Sequence, residues 1–308
     1  MRKILFQEAD FYGASKLIFG DKPLPICYKA TWMHGISPVF RESASSDILI
    51  HYNERHLPIH LVNNEKTVKL LDNEDIKSIA VGMPYIYTKA HSENKRNKIL
   101  FRKVFMPPHS ILGNQEFEYA KWRVIVKKYD CDAICLGGSD YSNVINKRIN
   151  LGNVKIIKGA YASDNSSLTR MSNMFYSSSE MITNVSGSHL TYAAASGVKV
   201  KVIDEIYELR DERLVNNYGL KVMNTYPKKY QKSFGKHLAT DRGADEIVSR
   251  WNSRSSKEAE EYANYLLGTE YRKEPKVIAD YLTVNNKMKK IGVASYLLFN
   301  KISNKLGL

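Results

Sequence analysis

The chain has 308 residues, of which 43% are hydrophobic and 25% charged, and its formal net charge is +14. This composition is typical of a soluble globular protein with room for two domains. No run approaches the roughly 18 to 20 apolar residues that cross a bilayer, and "MRKILFQEAD" lacks the apolar core and cleavage site of a signal peptide. We therefore predict a cytoplasmic protein. Cys27, Cys131 and Cys135 have no paired-ligand spacing, which excludes a disulfide framework and a zinc site.

The excess of lysine and arginine predicts an anionic partner, for which nucleic acid, a nucleotide phosphate and an anionic membrane are the candidates. Residues 284–308 can form a helix with one apolar face bordered by lysines such as Lys289 and Lys301. Such a helix suits an anionic lipid surface at the inner membrane, or it docks on its own domain. Nucleic acid is the weaker candidate and we predict none, because no known nucleic-acid-binding motif accompanies the charge.

Along the chain, short apolar strands alternate with helical segments. In chain order the pattern predicts strands at 25–33, 46–53, 68–71, 78–87 and 99–107, a helix at 115–129, strands at 132–138 and 154–160, a helix at 166–179, a strand at 179–185, a helix at 188–196 and a strand at 198–204. Alternation of this kind predicts an α/β fold with mainly parallel sheets.

The polar, charged stretch at 87–98 is the predicted break between two domains. We predict an N-terminal α/β domain at 1–92, a second α/β domain at 93–240 and a helical, basic tail at 241–308.

The stretch "ITNVSGSHLTYAAASGVKVKV" predicts a strand, a turn of small residues, a helix and a second strand. The turn contains Asn184, Ser186, Gly187, Ser188 and His189. In open α/β sheets, ligands collect where strands end and a following helix presents free amide groups. The turn therefore predicts a phosphate site, with a plain helix cap as the alternative.

Three other turns place functional residue types after a predicted strand. His34 and Gly35 follow the first strand, and Gly82 and Pro84 close the strand ahead of the predicted domain break. Pro107 and Pro108 end a third strand and expose His109 and Ser110. A histidine near a strand end is most often an ordinary loop residue. Together with the turn at 184–189, however, these residues predict a site at the strand ends.

In their order, "WMHG", "SDILIHYNERH", "VGMPY", "FMPPHS" and "ITNVSGSHLTYAAASGVKV" resemble the GT-B type glycosyltransferases of bacterial surface polysaccharides. The order is also similar to that of the glycerophosphotransferases that build teichoic acids. The resemblance covers about residues 25–205 and implies two Rossmann-like domains facing a cleft. Two features depart from it: the first domain is short, and the acidic-acidic-glycine triplet of many bacterial sialyltransferases is missing.

The resemblance implies sugar transfer from a nucleotide-activated donor to a capsule or lipopolysaccharide glycan, or to a lipid-linked acceptor, without a metal or cofactor. His34 is then the base for the acceptor hydroxyl, because an imidazole accepts a proton near neutral pH. His109 and Ser110 would assist the Ser/Gly turn in binding the donor's phosphates. Glu205 would bind ribose hydroxyls, or it is a solvated carboxylate at a strand end.

Two more segments are weaker candidates, and two other functions stay open. Arg170 is predicted either to reach a phosphate or to lie on the surface of a helix. Residues 140–144 are predicted to line a nucleoside pocket. The alternative functions are a nucleotide-sugar enzyme of another type, such as an epimerase-like enzyme, and a nucleic-acid-binding protein.

Overall fold

The computed structural model describes residues 8–25, 28–35, 57–93, 98–107, 119–184, 187–203 and 251–283. Within these ranges the chain forms two parallel β-sheets with helices packed around them. The predicted class, α/β with two Rossmann-like units, is confirmed.

The first sheet has three parallel strands in the order β1-β2-β3. They are β1 (Ala30–Trp32), β2 (Ile59–Val62) and β3 (Ser78–Ala80). Around them lie a 3-10 segment at Glu8–Gly13, α1 (Ala14–Phe19), α2 (Glu65–Asp72), a 3-10 turn at Pro84–Tyr87 and α3 (Lys89–Glu93). The indole of Trp32, which is fully buried, donates to the carbonyl oxygen of Gly82 at 2.9 Å.

The second sheet has five parallel strands in the spatial order β6-β5-β4-β7-β8. The strands are β4 (Phe101–Met106), β5 (Ala133–Leu136), β6 (Lys155–Lys158), β7 (Ser178–Thr183) and β8 (Lys199–Val202). The helices between them are α4 (Tyr119–Lys128), α5 (Gly138–Asn146), α6 (Ser167–Tyr176) and α7 (Ser188–Ala195). The strand order reverses between β4 and β7, which is where such sheets bind ligands.

Two C-terminal helices follow: α9 (Pro275–Leu282) packs against α1 and β1 of the first unit, and α8 (Ser256–Leu267) packs against α7 of the second. The side chain of Asn252 exchanges two hydrogen bonds with the backbone of Val202 and so covers the exposed edge of β8. The amide of Asn63, just after β2, donates to the carbonyl of Leu266 at 2.8 Å. The described part of the predicted helical tail, residues 251–283, therefore ties the two sheets together.

A buried interface also joins the first sheet's Pro84–Tyr87 turn to α7. The ring of Tyr85 stacks on Tyr192 with centroids 4.2 Å apart and an interplanar angle of 4°. The hydroxyl of Tyr85 hydrogen-bonds with Ser196 at 2.6 Å, and Ser196 donates to the carbonyl of Tyr192. All three side chains are less than one-tenth exposed, so this contact is a packed interior.

Most predicted strands after residue 98 match observed ones, but two assignments in the first unit are wrong. Residues 68–71 belong to α2, because the side chain of Asn64 accepts from the backbone N–H of Thr67 and caps a helix there. Residues 84–87 are a 3-10 turn, since Pro84 cannot continue the ladder of β3. Strand β2 and helix α5 were not predicted, and the strand at 46–53 lies outside the described residues.

The predicted domain boundaries stay predictions. In the described ranges, no helix is long and apolar enough to cross a membrane. The basic segment at 284–308 lies outside them.

Candidate functional site

The site is built around the reversal point between β4 and β7. Here the hydroxyl of Thr183, the last residue of β7, donates to the carbonyl of Met106, the last residue of β4, at 2.7 Å. Thr183 is fully buried, so its bond to Met106 fixes the two strand ends against each other where the sheet opens. The ends of these strands define the floor of the candidate site.

His189 extends this hydrogen-bonded chain into the first turn of α7. Its Nε2 lies 3.1 Å from the hydroxyl of Thr183. Because the single proton of that hydroxyl is donated to Met106, the Nε2 of His189 carries a proton and donates to Thr183. A Cβ at Gly187 would lie 3.0 Å from Nδ1 of His189, so the imidazole is the reason a glycine suits position 187. The backbone there is extended, with φ 176°.

Asn184 sits at the same strand end with its side chain unsatisfied. Its exposed fraction is 5%, and within the described part of the chain its Oδ1 is buried without a hydrogen-bond partner. A buried carbonyl oxygen that lacks a donor costs about 1–3 kcal/mol. An unsatisfied buried group in a folded protein needs an explanation, and a ligand or ion that supplies the missing donor is one such explanation. Other buried polar atoms in the described ranges also lack a hydrogen-bond partner, such as Oγ1 of Thr191, but Asn184 follows β7 directly at the reversal point of the sheet. It therefore marks the position of the candidate site.

On the side of the first sheet, His34 follows β1 and lies among aromatic rings. Its imidazole is 4.5 Å from the ring of Phe11, edge to face, and 5.6 Å from the ring of Tyr12. Tyr12 has φ 60°, and its backbone N–H donates to the carbonyl of Ala162 at 2.8 Å. The loop after β6 thus holds the 3-10 segment that orients His34.

The two sheets meet where His34 and Gly35 face the start of α7. The hydroxyl of Tyr192 donates to the carbonyl of His34 at 3.0 Å, and Ser188 in turn hydrogen-bonds with that hydroxyl. Burial raises the pKa of Tyr192, so it remains a neutral donor. A Cβ at Gly35 would lie 3.7 Å from Oγ of Ser188, which is ordinary contact distance. We call this region, formed by His34, Gly35, Asn184, Ser188 and Tyr192, the junction.

Arg170 has a structural part in the loop after β6. Its guanidinium donates to the carbonyls of Lys158 and Gly159 and to the carboxylate of Asp164 at 2.8 Å. Burial acts to raise the pKa of Asp164, but hydrogen bonds from Ser166 and Arg170 outweigh it and hold the pKa below its ordinary range. Arg170 orders the loop that carries Ala162, which contacts Tyr12.

The structure brings His34, Asn184, Gly187, Ser188 and His189 together at one edge, on both sides of the contact between the sheets. Their roles stay predictions. The other predicted site residues lie outside the described ranges, and they are His109, Ser110, Ser186 and Glu205. Residues 140–144 form part of α5, which follows β5, and their role at a nucleoside pocket stays a prediction.

Four residues in or beside the junction were not predicted as site residues: Phe11, Tyr12, Thr183 and Tyr192. The position of Tyr192 could have been predicted from the sequence, because it lies four residues after Ser188 and so shares a helix face with it. The positions of Phe11 and Tyr12 could not, since their approach to His34 depends on tertiary packing.

No family model matches this chain, and no curated protein matches it. Among solved structures, it is similar to the complex of S. aureus MnaA with UDP, at 14% identity and a TM-score of 0.34, over 85% of this chain and 81% of the other. It is also similar to the GtfA/B complex, at 12% identity and a TM-score of 0.28, over 79% of this chain and 52% of the other. At TM-scores this low, neither likeness assigns a function to this chain.

Proposed function

We propose that the protein is a nucleotide-sugar-dependent glycosyltransferase whose donor binds at the junction. The single observation that supports this most is Asn184, a buried and unsatisfied side chain at the reversal point of a parallel sheet. An unpaired carbonyl oxygen needs a donor, which a sugar or ribose hydroxyl provides and a fully ionised phosphate does not.

The start of α7 would take the phosphates of the same ligand. The first N–H groups of an α-helix have no partner within the helix, and the helix dipole favours negative charge there. The side-chain hydroxyl of Ser188 is held by Tyr192, so the backbone amides of the turn are the main phosphate donors in this proposal. They would stabilise the nucleoside diphosphate as it leaves.

His34 would act from the other sheet as the general base. In an inverting transfer the acceptor approaches from the side opposite the leaving phosphate, so a base across from the phosphate site is suited to it. In glycosyl transfer, the bond from the anomeric carbon to the nucleotide oxygen breaks, the bond to the acceptor oxygen forms, and the acceptor's proton passes to the imidazole of His34. The acceptor we propose is a surface-polysaccharide glycan or its lipid-linked precursor.

Calorimetry with CMP, CDP, UDP and GDP, beside a short DNA duplex, tests the proposal. We expect one nucleotide to bind in preference to the others and the duplex to bind only weakly. Binding of the duplex alone, with strong salt dependence, would indicate a nucleic-acid-binding protein. Product analysis with the matching sugar nucleotide and a glycan acceptor then separates transfer from epimerisation, which leaves the sugar on the nucleotide.

A further inference from the structure

A second pocket, of about 380 Å³, lies at the other end of α7. Ala195, the last residue of α7, forms part of its wall. Residues of α3, of α8 and of the turn at Thr269–Tyr271, together with Arg272, form the rest. At 1.5 Å per residue, the helix separates this pocket from Ser188 by about 10 Å. It is therefore distinct from the junction, and nothing in the proposed transfer reaction uses it.

The pocket is lined by one basic and one acidic side chain that do not pair with each other. Arg272 donates to the hydroxyl of Ser92 at 2.7 Å and lies 5.5 Å from the ring of Tyr87. Glu260 is half-buried, and within the described ranges its carboxylate makes neither a hydrogen bond nor an ion pair. Arg272 is exposed. A molecule that carries both charges could make a charge-assisted contact with each of these side chains.

The remaining polar groups of the pocket are neutral. The carbonyl oxygen of Asn264 accepts from the hydroxyl of Thr269 at 3.1 Å, which leaves the amide N–H groups of Asn264 as donors. The Nδ1 of His91 lies 3.2 Å from the hydroxyl of Tyr176. Burial, with the positive charge of Arg272, lowers the pKa of His91 to about 4, so His91 adds no second cation near neutral pH.

We propose that this pocket is a second binding site, for a small zwitterion such as an amino acid, which places its anionic group on Arg272 and its cationic group on Glu260. Arginine presents several N–H donors in a planar fork that matches a carboxylate. The neutral amide and hydroxyl groups then bind the uncharged part of the molecule. The site is independent of the proposed glycosyl transfer and does not need it to be correct.

Calorimetric titration of the full chain with L-serine, L-glutamine and 4-aminobutyrate tests the proposal, since these probes vary the distance between the two charges. Acetate and ethanolamine, which carry one charge each, are the comparison. We expect at least one zwitterion to bind at millimolar concentration more tightly than either single-charge compound. If none of the three zwitterions binds, or if acetate binds equally well, the proposal is wrong.

Two variants and two matched controls identify the site. Arg272→Gln and Glu260→Gln should each weaken the binding zwitterion by about tenfold or more, because each removes one charge-assisted contact. Lys273→Gln and Glu261→Gln change the neighbouring exposed charges, and Glu261 pairs with Lys257 across the helix surface, at 3.9 Å. We expect these two variants to bind like the wild type. Equal losses in all four variants would show a general charge effect and overturn the assignment.

Discussion

The two ends of α7 differ in how completely their buried polar groups are hydrogen-bonded. At the C-terminal end, the hydroxyls of Tyr85 and Ser196 bond to each other, and Ser196 also bonds to the backbone. At the N-terminal end, Asn184 is just as buried but makes no such bond among the described residues. A network in which every polar group is hydrogen-bonded stabilises the fold, whereas a buried acceptor without a donor is available for a hydrogen bond from a ligand. We therefore separate residues that hold the sheets together from residues that serve the reaction.

The largest effect is expected on turnover at the N-terminal end. His34→Ala should lower the rate of sugar transfer by about 10²- to 10⁴-fold, because it removes the general base. Nucleotide affinity should change little, since the base acts on the acceptor. Steady-state kinetics and calorimetry on the same preparation measure the two quantities.

His34→Gln sharpens this experiment, because glutamine fills much of the space beside Phe11 and Tyr12 but is not a base. We expect His34→Gln to be as slow as His34→Ala. A normal rate in the glutamine variant would mean that the histidine only packs there, and another group would have to take the acceptor's proton.

The next effect concerns stability at the C-terminal end. Tyr85→Ala should reduce the free energy of unfolding by about 3–5 kcal/mol, the usual cost of truncating a buried aromatic side chain. Tyr85→Phe removes only the hydroxyl and should cost about 1 kcal/mol, because Ser196 keeps its bond to the carbonyl of Tyr192. Urea denaturation measures both. Equal costs for the two variants would contradict the stacked geometry on Tyr192.

A third experiment tests the start of α7. Ser188→Leu should weaken nucleotide binding by about tenfold or more, because the larger side chain projects toward Gly35 and displaces a ligand from the helix amides. Ser188→Ala is the matched control without added bulk and should lose less. Affinity unchanged in a folded Ser188→Leu protein would reduce this turn to a helix cap.

A smaller effect is expected from pH. The pKa of His91 is lowered to about 4 in the folded chain, from an ordinary value near 6.5. Between these two pH values, the unfolded chain therefore binds a proton at His91 that the folded chain does not bind. Stability should therefore fall as the pH falls through this range. In His91→Gln the fall should be shallower, as measured by urea denaturation at pH 7 and near pH 4.5. Identical slopes in both proteins would show that the imidazole stays hydrated when folded.

The fold and the position of the site were readable from the sequence to different extents. The second sheet was predicted strand by strand because its strands are short apolar runs, such as "AICL", or alternate apolar and polar residues, such as "KVKV". The turn at 184–189 was predicted because glycine and serine follow one of those strands. The first sheet was harder, since "IHLV" carries a histidine and "VKLL" has an apolar pattern that a strand and a helix share.

Other features could not be predicted, because they depend on distant parts of the chain. The bond from Thr183 to Met106 joins residues 77 positions apart, and that from Tyr192 to His34 joins residues 158 apart. The role of the C-terminal helices as a tie between the sheets has the same cause. Local pattern gives element type and strand ends, whereas the contacts across the junction follow only from the packing of the whole chain.

The most direct test of the central claim is the nucleotide affinity of Asn184→Leu, measured by calorimetry beside its stability in urea. Leucine has nearly the same shape as asparagine and removes a buried acceptor that is unsatisfied among the described residues. The unligated variant should therefore be at least as stable as the wild type. Its affinity for the preferred nucleotide sugar should fall by about tenfold. Unchanged affinity would contradict the claim that the N-terminal end of α7 is the donor site.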